Sequence, residues 1–419
     1  MALSVSALIG VLLVMVVWYA GVKRKLRQRR ASAAGSTQAA IPDSDAAFQA
    51  FLVTRYFSGL DALRAFSVIA VIWVHVSGEH ALNLLNQGHK GVDFFFAISG
   101  FLVTTLLLRE YARNGRIALG DFYVRRTLRI FPLYYAVLAL YCALVFLTMR
   151  GTPKATDFWN NLPAFATYTS NWFVQLNNGE GQGNTFYIAW SLATEEQFYI
   201  CWPPLMVWLL WRFKKQWVLV LAATVLLGLQ AMAVARDDGQ LLTSMIASMA
   251  PAMLFGVAFA VLLNNRLSFN ILYPVFGNRL MAPALVLILL MFIQHDVPLV
   301  FTRLTMAMLV VAVCIRENTC LHPFLKWRPA VFIGTISYGI YLMHMLMANI
   351  VRKALGHAMG LDVFLATTVL AIGIAYVSFR FFETPILKLK NRIGLPRHDG
   401  AVVKNLKKSR PTLGPIRKI

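Results

Sequence analysis

Long apolar runs separated by short, arginine-rich polar stretches dominate this chain. Runs of the length that carries a helix across a bilayer, about 17 to 25 residues, fall at 3–20, 60–78, 92–109, 132–149, 196–212, 217–235, 244–263, 279–294, 298–315, 331–352 and 361–382. The pattern predicts an all-α polytopic transmembrane helix bundle with a ten-span core plus one extra N-terminal span. The runs at 196–212 and 279–294 are short and contain Pro203, Pro204 and Pro283, which makes them the weakest of the set.

Composition sharpens this picture. The 419 residues are 58% hydrophobic and only 14% charged, against about 25% charged in soluble domains, so a soluble globular protein is excluded. The net charge of +22 would suggest nucleic acid in a soluble chain, but here the basic residues cluster in particular loops and tails and report topology. With the N-terminus placed outside and the C-terminus in the cytoplasm, only Lys90, Arg150, Lys154, Arg236, Arg303, Arg352 and Lys353, 7 of the 40 lysines and arginines, fall on the outer side. The expected organisation is a membrane anchor over 1–22, a basic, flexible cytoplasmic linker over 23–55, the ten-span core over 56–386 and a basic cytoplasmic tail over 387–419. No nucleotide-binding, hydrolase-elbow or zincin signature is present, the four cysteines lack metal-ligand spacing, and neither a metal nor a nucleic-acid partner is expected.

Ionisable groups at membrane depth are costly, so each is a functional candidate. Arg64 and His75 lie eleven residues apart within one run, which puts them on one helix face about 16 Å apart along the axis. An imidazole is suited to take a proton from a hydroxyl near neutral pH; a snorkelling arginine and a hydrogen-bonded core histidine are the alternative. Asp93 opens the next run and is placed to orient His75, or simply to cap its own helix. Ser99 follows beside Gly100, where close helix packing would also explain it. Arg125, Arg126 and Arg129 form a cytoplasmic cluster whose guanidinium forks match phosphate oxygens; anchoring to anionic lipid is the simpler role. Trp190, Ser191, Glu195, Glu196 and Tyr199 enter a run from outside, where a carboxylate would assist His75 or bind acceptor hydroxyls and the aromatics would stack on sugar. A helix-start acidic turn in an aromatic belt is the alternative. Tyr341 and His344 share a face with Ser337, a spacing typical of an interhelical hydrogen-bond cluster.

In this order the motifs resemble the membrane-bound acyltransferase-three family, whose members O-acylate bacterial surface glycans and related acceptors. The resemblance covers about residues 56–386 and rests on Gly59-Leu60-Asp61-Ala62-Leu63-Arg64, the Arg64/His75 pair, Gly91-Val92-Asp93-Phe94-Phe95-Phe96 with Ser99-Gly100-Phe101-Leu102, Arg125-Arg126 with Arg129-Ile130 and Pro132, Trp190-Ser191-Leu192, Glu195-Glu196-Gln197-Phe198-Tyr199, and Ser337-Tyr338-Gly339-Ile340-Tyr341-Leu342 with His344. It implies acetyl-CoA or another acyl-CoA as donor, bound from the cytoplasmic side, with His75 catalytic and Arg64 at the donor site. It further implies O-acetylation of a glycan, lipid-linked sugar or similar hydroxyl acceptor, a bacterial inner-membrane setting and, with no appended esterase-like domain in view, a stand-alone enzyme. A transporter or flippase of lipid-linked sugars is the rival reading; no inverted repeat supports it.

Overall fold

The computed structural model describes residues 42–389, apart from 55, 81, 175–184, 237 and 317. The expected anchor over 3–20, most of the linker and nearly all of the basic tail lie outside the described residues. Within them the secondary structure is helical, without a strand.

Among the described residues five helices are long and apolar enough to cross a membrane: Ser58–Val76, the stretch Gly88–Asn114, Leu119–Thr148, Trp217–Arg236 and the stretch Leu361–Leu389. Three bent pairs bring the figure to eight if each is one span. Ten of the eleven expected runs fall within the described residues, and that number does not carry over directly. The run at 331–352 is broken: Arg328–Thr335 and Ser337–Leu355 meet at 77°. The run at 279–294 is the second limb of a pair bent by 75°, after Arg266–Phe276, and 244–263 splits into Leu241–Ala247 and Pro251–Leu263 at 53°. Hydropathy averages over such breaks, because the apolar side chains continue through the bend while the backbone ladder does not.

Other boundaries move as well. The arginine stretch expected to stand apart from the membrane run at 132–149 is continuous with it as one 30-residue helix, Leu119–Thr148, with Pro132 inside. The linker expected to be flexible is a helix from residue 42 to Val53. Phe48 and Phe51 bury their rings against Phe269 at 5.1 and 5.7 Å, and Asp45 pairs with Arg266. Arg109 closes the end of that helix by donating to the Phe51 and Thr54 carbonyls, each at 2.6 Å, which places a cation at the negative end of the helix dipole.

Burial runs opposite to a water-soluble fold. Leu221, Val225, Leu229 and Met232 line an exposed stripe on Trp217–Arg236, while Asp61, Ser99, Thr104, Glu196 and His344 are buried inside. Such a bundle satisfies its polar groups internally and offers hydrocarbon to lipid. At its centre Gly91–Asn114 crosses Pro251–Leu263 with almost no space between the backbones. A Cβ on Gly100 would collide with the Met253 carbonyl, and one on Gly256 with the Ala97 carbonyl. Small residues at such crossings let helices approach closely, and that approach sets where Ser99 and Asp93 stand.

Candidate active site

Two cavities meet inside the bundle. The first, of about 90 Å³, is lined by Arg64, Ser99, Arg126, Arg129, Ser191, Glu195, Glu196, Tyr199, Ser337, Tyr338 and Tyr341, among others. The second, of about 680 Å³, contains His75, His89, Asp93, Asn171, Tyr187, Trp190, Gln230, Ser248 and Arg303. Val92, Phe96 and Tyr341 belong to both and form the wall between them.

Three guanidinium groups converge on the first cavity. Arg129 lies within electrostatic reach of both Arg64 and Arg126. Arg64 is held by Asp61 at 2.8 Å, and Asp61 also accepts from the Tyr56 hydroxyl at 2.5 Å. Arg126 stacks over the Tyr199 ring with its carbon 4.3 Å from the centroid. Tyr199 and Ser99 present their hydroxyls to one oxygen of Glu195. The break before Ser337 aims the N-terminus of the 19-residue helix Ser337–Leu355 at this cavity, adding the positive end of a helix dipole. Thr335 donates back to the Val331 carbonyl at 2.9 Å just before that break, a contact that favours bending. The cavity thus mixes three guanidiniums with the carboxylates of Glu195 and Glu196, and its guanidinium side together with the helix N-terminus suits an anionic group such as a phosphate.

The second cavity holds the histidine. His75 lies at the last turn of Ser58–Val76, and its Nδ1 is 2.7 Å from the Val71 carbonyl. A carbonyl only accepts, so Nδ1 carries the proton and Nε2 the lone pair. Arg352 donates to the His75 carbonyl at 2.6 Å and to the Ala358 carbonyl at 2.8 Å, which ties down the end of the helix. Tyr187 meets the imidazole edge-on, with ring centroids 5.8 Å apart.

Several expectations are redistributed by this geometry. Asp93 does not orient His75; it shares the histidine cavity but pairs with Arg303 at 2.9 Å. Glu195 and Glu196 do not stand beside His75 either, because the helix that carries them starts at Ala189 and brings both into the arginine cavity. Arg125 turns away to Glu110 at 3.8 Å, so of the cytoplasmic cluster only Arg126 and Arg129 join Arg64. Trp190 lines the histidine cavity, whereas Ser191 bonds Tyr341 at 2.6 Å in the dividing wall. His344 sits behind His75, wholly buried.

Tyr187, Asn171, Gln230, Ser248, Arg303 and Arg352 were not singled out from sequence as site residues. Arg303 and Arg352 carried a signal, as cations near the ends of apolar runs. The amides carried none, since Asn171 reaches Gln197 and Ser248 only through packing of three separate segments.

The sequence matches the family described as "Acyltransferase domain" over residues 57–380. It is 30% identical over 356 residues to the O-acetyltransferase OatA of Staphylococcus aureus (strain NCTC 8325 / PS 47), covering 80% of this chain and 58% of that protein. It is also 30% identical over 356 residues to YrhL of Bacillus subtilis (strain 168), named as a candidate peptidoglycan O-acetyltransferase, covering 79% of this chain and 55% of that protein. The chain thus spans somewhat more than half the length of these curated relatives. No solved structure matches.

Proposed function

This chain belongs to the acyltransferase domain family, and from that membership we propose that it moves an acetyl or short acyl group from acyl-CoA to a hydroxyl of a glycan or lipid-linked sugar. The donor enters the arginine cavity from the cytoplasmic side, where Arg64, Arg126 and Arg129 meet its phosphates. The acceptor sugar occupies the larger cavity, among Trp190, Tyr187, Asn171 and Gln230. The N-terminus lies outside and the bilayer is the bacterial inner membrane.

One observation supports this reading above the others: His75 directs its Nδ1 proton toward the Val71 carbonyl, which leaves its Nε2 lone pair without a partner among the described residues, in a cavity that shares a wall with the guanidinium cluster. In the step that follows, Nε2 takes the proton of the acceptor hydroxyl as its oxygen attacks the thioester carbonyl. The carbon–sulfur bond breaks, the acyl group remains on the acceptor oxygen as an ester, and the coenzyme A thiolate recovers the proton from the imidazolium. General-base help of this kind contributes about 100- to 10,000-fold.

Purified protein incubated with radiolabelled acetyl-CoA and an envelope glycan extract tests the reading. Label appears in the glycan with native protein and not with His75→Ala. Equal transfer by the two proteins would remove His75 from the chemistry, and acetyl-CoA left unconsumed by native protein while lipid-linked sugar crosses vesicles would favour a transporter.

A further inference from the structure

Behind His75 stands a second imidazole that the acyl-transfer step does not use. His344 is fully buried on Ser337–Leu355. Its Nδ1 lies 2.5 Å from the Tyr341 carbonyl, and its Nε2 lies 3.4 Å from Nδ1 of His75. The Tyr341 carbonyl only accepts, so Nδ1 of His344 carries that ring's proton and Nε2 presents a lone pair to His75. The Nδ1 proton of His75 therefore faces two acceptors, the Val71 carbonyl and His344 Nε2. Val71 alone is a weak lock, because an α-helical carbonyl already receives the amide four residues on, here that of His75 itself.

We infer that His344 is a positioning residue that holds His75 in the Nδ1-protonated tautomer; this rests on the acyl-transfer reading given for His75. Moving the proton to Nε2 would leave Nδ1 as a third acceptor facing two others, the Val71 carbonyl and His344 Nε2, with no ring hydrogen to share between the two imidazoles. Once Nε2 has taken the acceptor's proton, the same lone pair on His344 steadies the resulting imidazolium. A carboxylate commonly fills this place behind a catalytic histidine; here Asp93 is occupied by Arg303, and an imidazole stands in its stead. The other charged or titratable groups facing the pair are Arg352 and His89 toward His75, Tyr187 against the His75 ring, and Tyr341 and Arg352 toward His344.

His344→Ala, His344→Gln and His75→Ala, assayed as full chains with acetyl-CoA and envelope glycan, test the assignment. His344→Ala is expected to lower kcat on the order of 10- to 100-fold, less than loss of the general base itself, with the donor KM unchanged and the acidic limb of the kcat/KM profile displaced. His344→Gln recovers most of the loss, since its amide oxygen accepts the same proton. Nitrogen-15 spectra of histidine-labelled protein give a readout independent of turnover: His75 is Nδ1-protonated in the native chain and a mixture of tautomers in His344→Ala. Native activity in His344→Ala, no recovery in His344→Gln, or an Nε2-protonated His75 in the native chain would each overturn the role. Transfer by His75→Ala at the native rate would instead sink the acyl-transfer reading, and the positioning role with it.

Discussion

Arg64 and His75 leave the same helix eleven residues apart and enter different cavities, the first the guanidinium cluster and the second the larger chamber behind Phe96 and Tyr341. One rigid helix thereby fixes the distance between the guanidinium cluster and the imidazole, which is the distance a donor would have to span in the proposed acyl transfer. A thioester on a long flexible arm suits such a separation.

That division of labour predicts a kinetic split. Arg64→Ala and Arg129→Ala each raise the KM for acetyl-CoA about tenfold or more, because a hydrogen bond to a charged group contributes about 1.5–3 kcal/mol, while kcat changes little. Arg125→Ala, whose guanidinium faces Glu110, leaves the KM near native. Steady-state kinetics at several donor concentrations separates the three.

Asp93 and Arg303 are expected to act as one unit. Each is only partly exposed and they meet at 2.9 Å, so Asp93→Asn or Arg303→Gln alone strands a charge in the wall of the histidine cavity. A double-mutant cycle on thermal stability in detergent should return a coupling of about 0.5–3 kcal/mol. Strictly additive losses would show that the pair is incidental.

Gly100 and Gly228 should respond in opposite ways to alanine. A Cβ at Gly100 meets the Met253 backbone, whereas at Gly228 there is open space. Gly100→Ala is expected to cost about 1–3 kcal/mol by forcing the central crossing apart. Gly228→Ala leaves stability unchanged or raised, by up to about 1 kcal/mol from helix propensity. Melting temperatures of the two variants in one detergent decide the matter.

On the turn between two membrane helices, Asp362 lies 2.9 Å from His357 and raises the affinity of that imidazole for its proton. A group whose pKa is higher folded than unfolded stabilises the fold below the unfolded value, near 6.5, and loses that contribution as pH rises through the folded value. The melting temperature of native protein should therefore exceed that of His357→Gln at pH 5, and the gap should close as pH climbs above neutrality. The pair is exposed, so the gap is small and shrinks further in high salt.

Much of this protein was legible in the order of its residues. Lipid demands long apolar helices, so the membrane bundle could be read from hydropathy, and the cost of burying charge marked Arg64, His75, Asp93 and the paired glutamates as worth watching. Helical periodicity even placed Arg64 and His75 on one face. Local sequence did not reveal the 77° break before Ser337, because the apolar run continues through it, nor the packed helix at Pro42–Val53, which ends a stretch whose Ala, Ser, Gln and Asp read as linker.

Which candidates became neighbours was decided by the tertiary structure alone. Asp93 went to Arg303, Glu195 to Ser99 and Tyr199, Arg125 to Glu110, and His344 came to stand behind His75 across 269 residues of chain. The physical reason is the close crossing of Gly91–Asn114 over Pro251–Leu263, together with the packing of both parts of the broken helix against Ser58–Val76. Sequence spacing fixes directions on a single helix, but the rotation and depth of one helix against another follow from side chains far apart in the chain. By itself the sequence determined a membrane bundle and a short roster of chemically costly residues; packing determined which of them share a cavity.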